Sequence, residues 1–281
     1  MTRSVSETRR LVASRRAPSS NRDRDPRGLS ARSARSGARG GLLEPVPACA
    51  LPRPNSRDVQ WVMRRLARAI TGLELPIVEK IADEQREDAF QVLIATLLSA
   101  RTQDATTAAA SARLFAVAPT PRRMVALTVR QIERLVYPVS FYRNKAEHVK
   151  ETCRILLDTF KGRVPGTMEQ LLTLPGVGRK TANLVLILGF ESVRNICVDT
   201  HVHRISNRIG WVQTSTPEQT EQALYARLPA RWWPYLNLYL VTWGQNVCRP
   251  MFPRCGDCVI RERCPRMGVT VEGKARTRNT R

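Results

Sequence analysis

Leu174-Pro175-Gly176-Val177-Gly178-Arg179-Lys180-Thr181 lies between two stretches of helical periodicity, and the fold turns on how it is read. Gly176 and Gly178 allow a tight turn, positive φ included, and let a ligand approach the backbone closely. The helix that follows offers unpaired N–H groups and a positive dipole end to a phosphate. Two glycines in this spacing also describe many ordinary interhelix turns, and the spacing before Lys180 rules out a Walker phosphate loop. Lys180 itself reads either as a surface lysine that binds phosphate or as an amine with chemistry to do. Eighteen residues separate it from Asp199, in Val198-Asp199-Thr200-His201-Val202-His203-Arg204. A carboxylate there, directly after the apolar Ile196 and Val198, suits a helix cap, and a cap can still take part in a reaction.

Working outward, the periodicity is helical almost throughout. Trp61, Leu66 and Ile70 mark one face of a helix starting near Asp58, and Phe90, Leu93, Ile94, Leu97 and Leu98 mark a strongly apolar second one. Asp104 to Ala116 is alanine-rich and opens with a plausible acidic cap. Ile132, Leu135 and Val136 belong to a short helix that stops before Pro138. Later helices are expected over Arg143–Phe160, Thr167–Thr173, Arg179–Leu188, Val202–Ile209, Pro217–Leu228 and Tyr235–Gly244. No strand alternation stands out, so the fold class is all-α.

The 281 residues suit one compact unit of two lobes or two small domains. A formal net charge of +22 favours a polyanionic partner, nucleic acid before anionic membrane. No apolar run approaches the length needed to span a bilayer, and the N-terminus lacks the apolar segment of a secretory signal. Residues 1–56 hold 12 arginines, no lysine and four acidic residues among many Ser, Pro and Gly. Such a stretch reads as a disordered basic tail, bacterial in character, with an organellar transit peptide as the alternative. Residues 57–281 still carry 34 basic against 20 acidic side chains, so the tail does not account for the charge. A second short basic tail is expected at the C-terminus.

Four of the seven cysteines, Cys248, Cys255, Cys258 and Cys264, fall into the spacing C-x6-C-x2-C-x5-C. Clustered thiols in a long chain point to a metal site in a reducing compartment rather than to a disulfide scaffold. Soft thiolates select zinc or an iron–sulfur cluster. Structural zinc usually takes two close pairs, whereas only one C-x-x-C is present here. One short loop of four cysteines can instead wrap a cubane, and unligated core thiols are the third reading. Arg249, Arg254, Arg261, Arg263 and Arg266 surround the loop with positive charge.

Three motifs, Leu174 to Leu186 (LPGVGRKTANLVL), Val198 to His201 (VDTH) and the four-cysteine loop, together resemble endonuclease III, the bifunctional DNA glycosylase of the helix-hairpin-helix superfamily. The likeness runs from about Trp61 to Cys264. It implies two helical lobes with a DNA cleft between them: a six-helix barrel carrying the hairpin over 82–193, and a discontinuous cluster lobe from 57–81 plus 194–266, followed by the basic tail 267–281. It also implies Lys180 as catalytic lysine, Asp199 as catalytic aspartate and the four cysteines as ligands of a 4Fe–4S cluster. Leu174, Pro175, Gly176, Val177, Gly178, Arg179 and Thr181 would grip DNA phosphates, with Arg101, Phe141 and His201 as further DNA contacts. The implied activity removes oxidised pyrimidines from double-stranded DNA and then nicks the strand by β-elimination, in a monomeric cytoplasmic, nucleoid-associated bacterial enzyme that also accepts abasic sites. Lys180, deprotonated by burial or by a cationic neighbour such as Arg179, would be the nucleophile.

Two positions depart from the family pattern. Arg101 stands where glutamine is usual, in the gap left by a flipped base, and Phe141 replaces an aliphatic wedge. Three rivals remain. The adenine glycosylase branch would carry a glutamate at Thr96 and no lysine at 180. A non-catalytic hairpin module would need neither Lys180 nor Asp199. A zinc-stabilised nucleic-acid protein would differ in its metal.

Overall fold

The computed structural model describes residues 51–84 and 88–274. Most of the N-terminal basic tail, Cys49 and the final basic residues lie outside the described residues. Twelve α-helices are present among the described residues, with three short 3-10 turns and no strand. In chain order they are α1 Ser56–Ala69, α2 Ile77–Glu84, α3 Ala89–Ser99, α4 Asp104–Val117, α5 Pro121–Ala126, α6 Val129–Val136, α7 Tyr142–Phe160, α8 Met168–Leu171, α9 Arg179–Gly189, α10 Thr200–Arg208, α11 Pro217–Arg227 and α12 Leu236–Asn246. No described helix is long and apolar enough to cross a membrane.

Side-chain chemistry sets many of the boundaries. Asn55 accepts the Arg57 amide and caps α1, and Thr128 closes a reciprocal capping box with Gln131 at the start of α6. Thr120, Thr167 and Thr216 cap α5, α8 and α11 in the same way. Sequence periodicity missed α2 and α5, both short, and overestimated the helix before the hairpin, which is the single turn α8. Asp104 is not the cap of α4. It stands inside the first turn, Gln103 occupies the cap without a side-chain bond, and Asp104 Oδ2 instead accepts from the Ile77 amide at 3.2 Å and Gln245 Nε2 at 3.3 Å.

Two separate apolar cores organise these helices. One is built around α3 and α9, including Leu93, Ile94, Leu98, Val185 and Ile187, with α4, α6 and α7 closing over it. The other joins Val59, Val62, Met63 and Leu66 of α1, with Ile70 at its end, to Ile196, Val202, Ile205, Trp211, Leu224, Tyr239 and Trp243. The chain therefore enters the second core, leaves it for the first, and returns. On the way out, Ile77, Val78 and Ile81 already present one face of α2 to the first core.

Both ends of the described residues are tied to the second core. The chain is already anchored at residue 51, where Arg227 Nη2 donates to the carbonyls of Leu51 at 3.1 Å and Pro52 at 2.6 Å. Beyond Cys264 the described residues fold back along the cysteine loop instead of leaving it. The Met267 amide donates to Arg208 at 3.0 Å, and the Gly273 amide to Pro253 at 2.9 Å.

Candidate active site and cysteine cavity

A cleft of about 700 Å³ separates the two cores, and Lys180, Asp199, His201 and Arg101 all line it. Lys180 reaches it from the first turn of α9. The preceding hairpin is held from below: Leu174 and Val177 are buried in the barrel core, and Gly176 adopts φ +74°. A Cβ on Gly176 would stand 2.7 Å from His148 Nδ1, so only glycine permits this close approach. Gly178 does a different job from the one its spacing suggests. It has extended φ, caps α9 with no side chain, and leaves the helix amides open.

The hairpin residues therefore divide. Gly176, Gly178 and Lys180 are exposed, whereas Leu174, Val177 and Thr181 are buried and position the turn from behind. Arg179 does not point its charge into the cleft: its Nη2 and Nε meet Glu221 Oε1 at 2.6 Å and Oε2 at 3.3 Å. The Glu221 side chain is only 4% exposed, so this two-pronged pair fastens α9 to α11 across the lobes. The lysine is exposed, and the guanidinium is committed to a carboxylate.

Asp199 caps α10, its Oδ1 accepting from the amides of His201 at 2.9 Å and Val202 at 2.8 Å. Oδ2 takes neither amide. His201 is half-buried in the cleft wall, and its Nδ1 accepts from Arg204 Nη2 at 3.1 Å, which leaves the hydrogen of the neutral ring on Nε2. Burial, with Arg204 and Lys180 adding to it, pulls His201 below its ordinary value against the opposing pull of Asp199, so the ring is neutral at pH 7. Gly244 on α12 makes room for it, since a Cβ there would fall 2.5 Å from His201 Nδ1. Periodicity gave no sign of Gly244, nor of Asp104 and Gln245, which also line the cleft.

Arg101 and Phe141 stand on adjacent loops, both exposed and both left-handed, with φ of 56° and 57°. The guanidinium carbon of Arg101 lies 6.0 Å from the Phe141 ring centroid. Thr96 is buried in α3 and spends its hydroxyl on the Val92 carbonyl at 2.7 Å, far from the role a catalytic carboxylate would play.

All four clustered cysteines line one cavity, together with Ile205, Ile209, Trp243, Val247 and Ile260 and the arginines at 208, 254, 261 and 266. Arg208 braces the loop, donating to the carbonyls of Arg249 and Pro250 at 2.6 Å each and to Cys248 Sγ at 3.5 Å. Burial raises the Cys255 and Cys258 thiols and pushes Cys264 up to about 11. Thiolates at neutral pH would therefore need a strongly cationic occupant. Among the described residues no three His, Cys, Asp or Glu side chains converge closely enough to hold a single metal ion.

Comparison with known proteins agrees with this architecture. Residues 94–230 match the model of the HhH-GPD superfamily base excision DNA repair proteins. The chain is 44% identical to Endonuclease III of Thermotoga maritima over 213 residues, covering 75% of this chain and all of that one. It is 46% identical to the chloroplastic Endonuclease III homolog 2 of Arabidopsis thaliana over 188 residues, which span 49% of that longer protein. A solved structure described as a trapped endonuclease III–DNA covalent intermediate superimposes with a TM-score of 0.65 at 29% identity, covering 75% of this chain and 96% of that one. The two-lobed helical fold with its hairpin defines a helix-hairpin-helix base excision repair protein. Within that superfamily, the chain belongs to the endonuclease III family.

Proposed function

We propose that this protein excises oxidised pyrimidines from duplex DNA and then cuts the strand at the resulting abasic site through a Schiff base on Lys180. The observation that carries the reading is Lys180 and Asp199 on one cleft, brought there from separate helices in separate lobes. A nucleotide turned out of the duplex would present its sugar C1′ to the cleft. The Lys180 Nζ attacks C1′ as the base departs, forming a carbon–nitrogen bond as the glycosidic bond breaks. With Arg179 paired to Glu221, Asp199 is the group left to take the lysine proton and to stabilise positive charge on the sugar. The nitrogen lone pair then opens the sugar ring, the C1′–O4′ bond breaking as the iminium forms, with O4′ and the departed base each taking a proton. The iminium acidifies the C2′ proton, and its loss expels the 3′ phosphate by β-elimination. That an endonuclease III has been trapped as a covalent DNA intermediate supports the same chemistry here.

The open amides of α9, behind Gly178, suit a DNA phosphate, and Arg101 and Phe141 suit the space vacated by the flipped base. A 4Fe–4S cluster suits the cysteine cavity. Four thiolate corners of a cubane stand further apart than four ligands on one ion, and the surrounding arginines offset the negative charge that four thiolates leave. Cys248, Cys255, Cys258 and Cys264 would hold it, and when bound it would crosslink the final loop. Each chain carries both Lys180 and Asp199 on its own cleft, so we take the enzyme to act as a monomer. The arginine-heavy composition favours a bacterial cytoplasm, with the nucleoid as its place of work.

The test is borohydride trapping on abasic-site DNA. The wild-type chain should form a covalent adduct, and a folded Lys180→Gln variant should form none while still binding the lesion. Full trapping by that variant would leave Lys180 a phosphate contact.

A further inference from the structure

Lys145, in the first turn of α7, is a buried lysine that the chemistry above does not use. Its Nζ donates to the Leu98 carbonyl at 2.8 Å, the Ala100 carbonyl at 2.6 Å and Thr102 Oγ1 at 3.2 Å. The first two acceptors close the C-terminal end of α3, where backbone carbonyls lack helical partners and the dipole favours a cation. The third belongs to a hydroxyl that is itself saturated. Thr102 Oγ1 accepts from Lys145 and from the Ser140 amide at 3.2 Å, and donates to the Ala100 carbonyl at 3.3 Å. One ammonium and one hydroxyl thus join the loop after α3 to the loop before α7.

Those loops carry Arg101 and Phe141. Each residue sits one position from a member of the network: Arg101 between Ala100 and Thr102, Phe141 directly after Ser140. Each is also a non-glycine residue in the left-handed region, a conformation that persists only where its surroundings over-determine it. Here the over-determining contacts are the three acceptors of Lys145. Burial lowers Lys145 from its ordinary value to about 8, so at neutral pH it still holds three protons, one for each acceptor.

We infer that Lys145 is the positioning residue for lesion entry: it locks the two loops to each other and sets Arg101 and Phe141 as one rigid pair of wedges at the cleft mouth. The inference rests on the reading of those two residues as wedges. It predicts that losing the ammonium impairs extrusion from paired DNA while leaving the lysine chemistry intact, because no member of the network hydrogen-bonds to the side chain of Lys180 or Asp199. Lys145→Met keeps length and removes all three donors. Thr102→Val keeps shape and removes the hydroxyl's bonds to the Ser140 amide, to Lys145 and to the Ala100 carbonyl, while leaving the ammonium its two backbone acceptors.

The experiment uses the full chain. Extrusion is read from the fluorescence of 2-aminopurine placed opposite a lesion in duplex DNA, and chemistry from borohydride trapping at an abasic site in single-stranded DNA. Folded Lys145→Met should lose most of the fluorescence rise and at least about ten-fold in excision from duplex, with single-strand trapping within about two-fold of wild type, since little unstacking is needed there. Thr102→Val should show the same selective loss to a smaller extent, and it carries the test alone if Lys145→Met does not fold. An unchanged fluorescence rise, or equal losses on paired and single-stranded DNA, would overturn the inference. Failure of the Schiff-base reading would look different: wild type itself would not trap, while the fluorescence signal would still report on the loops.

Discussion

Replacing Asp199 by asparagine and by alanine separates two jobs held by one side chain. Oδ1 accepts two amides at the start of α10, a double cap, while the carboxylate charge faces the cleft. Losing a cap costs about 1 kcal/mol, and losing a negative charge at a helix N-terminus costs about 0.3–1 kcal/mol. Asparagine keeps the acceptor and gives up only the charge, so it should destabilise by no more than about 1 kcal/mol. Alanine gives up both, for a total of about 1–2 kcal/mol. In a protein of this size 1 kcal/mol moves Tm by about 2–4 °C, so a calorimetric scan resolves the two variants. Chemistry should rank differently. Both variants lose the proton acceptor and the charge that stabilises the sugar cation, and both should excise bases roughly 100-fold more slowly in single turnover. Nicking of a preformed abasic site, where no base need leave, should suffer less. Excision rates that follow Tm, with the asparagine variant near wild type, would show that Asp199 is a cap and nothing more.

Other expectations follow from the same geometry. Purified protein should be yellow-brown with about four irons per chain, and Cys258→Ser should lose the colour and lower Tm; one zinc and no iron would refute the cluster. Removing residues 1–50, and not the six that follow, since Arg227 grips the backbone at 51 and 52, should preserve Tm and excision rate while weakening nonspecific DNA binding and flattening its salt dependence. Unchanged binding at every salt concentration would make the segment a bystander. Arg101→Gln should alter excision according to the base opposite the lesion, and Phe141→Ala should slow turnover on paired lesions more than on single-stranded DNA. A Phe141→Ala loss shared equally by both substrates would count against the wedge.

Much of the fold was legible because helices announce themselves by period. The apolar faces of α1, α3 and α9 follow residue spacing alone, and the LPGVGRK and VDTH segments mark where the chain turns. What escaped was set by contacts between distant residues. Arg179 reads as a free cation until Glu221, 42 positions later, is seen to hold it. Asp104 has the composition of a cap and the geometry of a strut from α4 to Ile77 and Gln245. Lys145 reads as one more surface lysine in a basic chain, because nothing in its neighbourhood of sequence reveals that its three acceptors lie more than 40 positions away. Short helices such as α2 and α5 offer too few turns for a period to emerge.

The route of the chain, out of one core and back into it, matters while the protein is being made. Asp58 on α1 meets Arg263 across 205 positions, and beyond Ile70, Leu73 and Leu75 just after the helix, the rest of the core around Val59, Val62, Met63 and Leu66 begins only at Ile196. The first described helix to leave the ribosome is thus among the last to find its place. The barrel can complete its own core first, while the apolar face of α1 waits unpaired for the polypeptide's far end. Slow or interrupted synthesis would leave that face available to aggregation or to a chaperone, so codons and conditions that delay residues 196–264 should cost yield even where every finished molecule is stable.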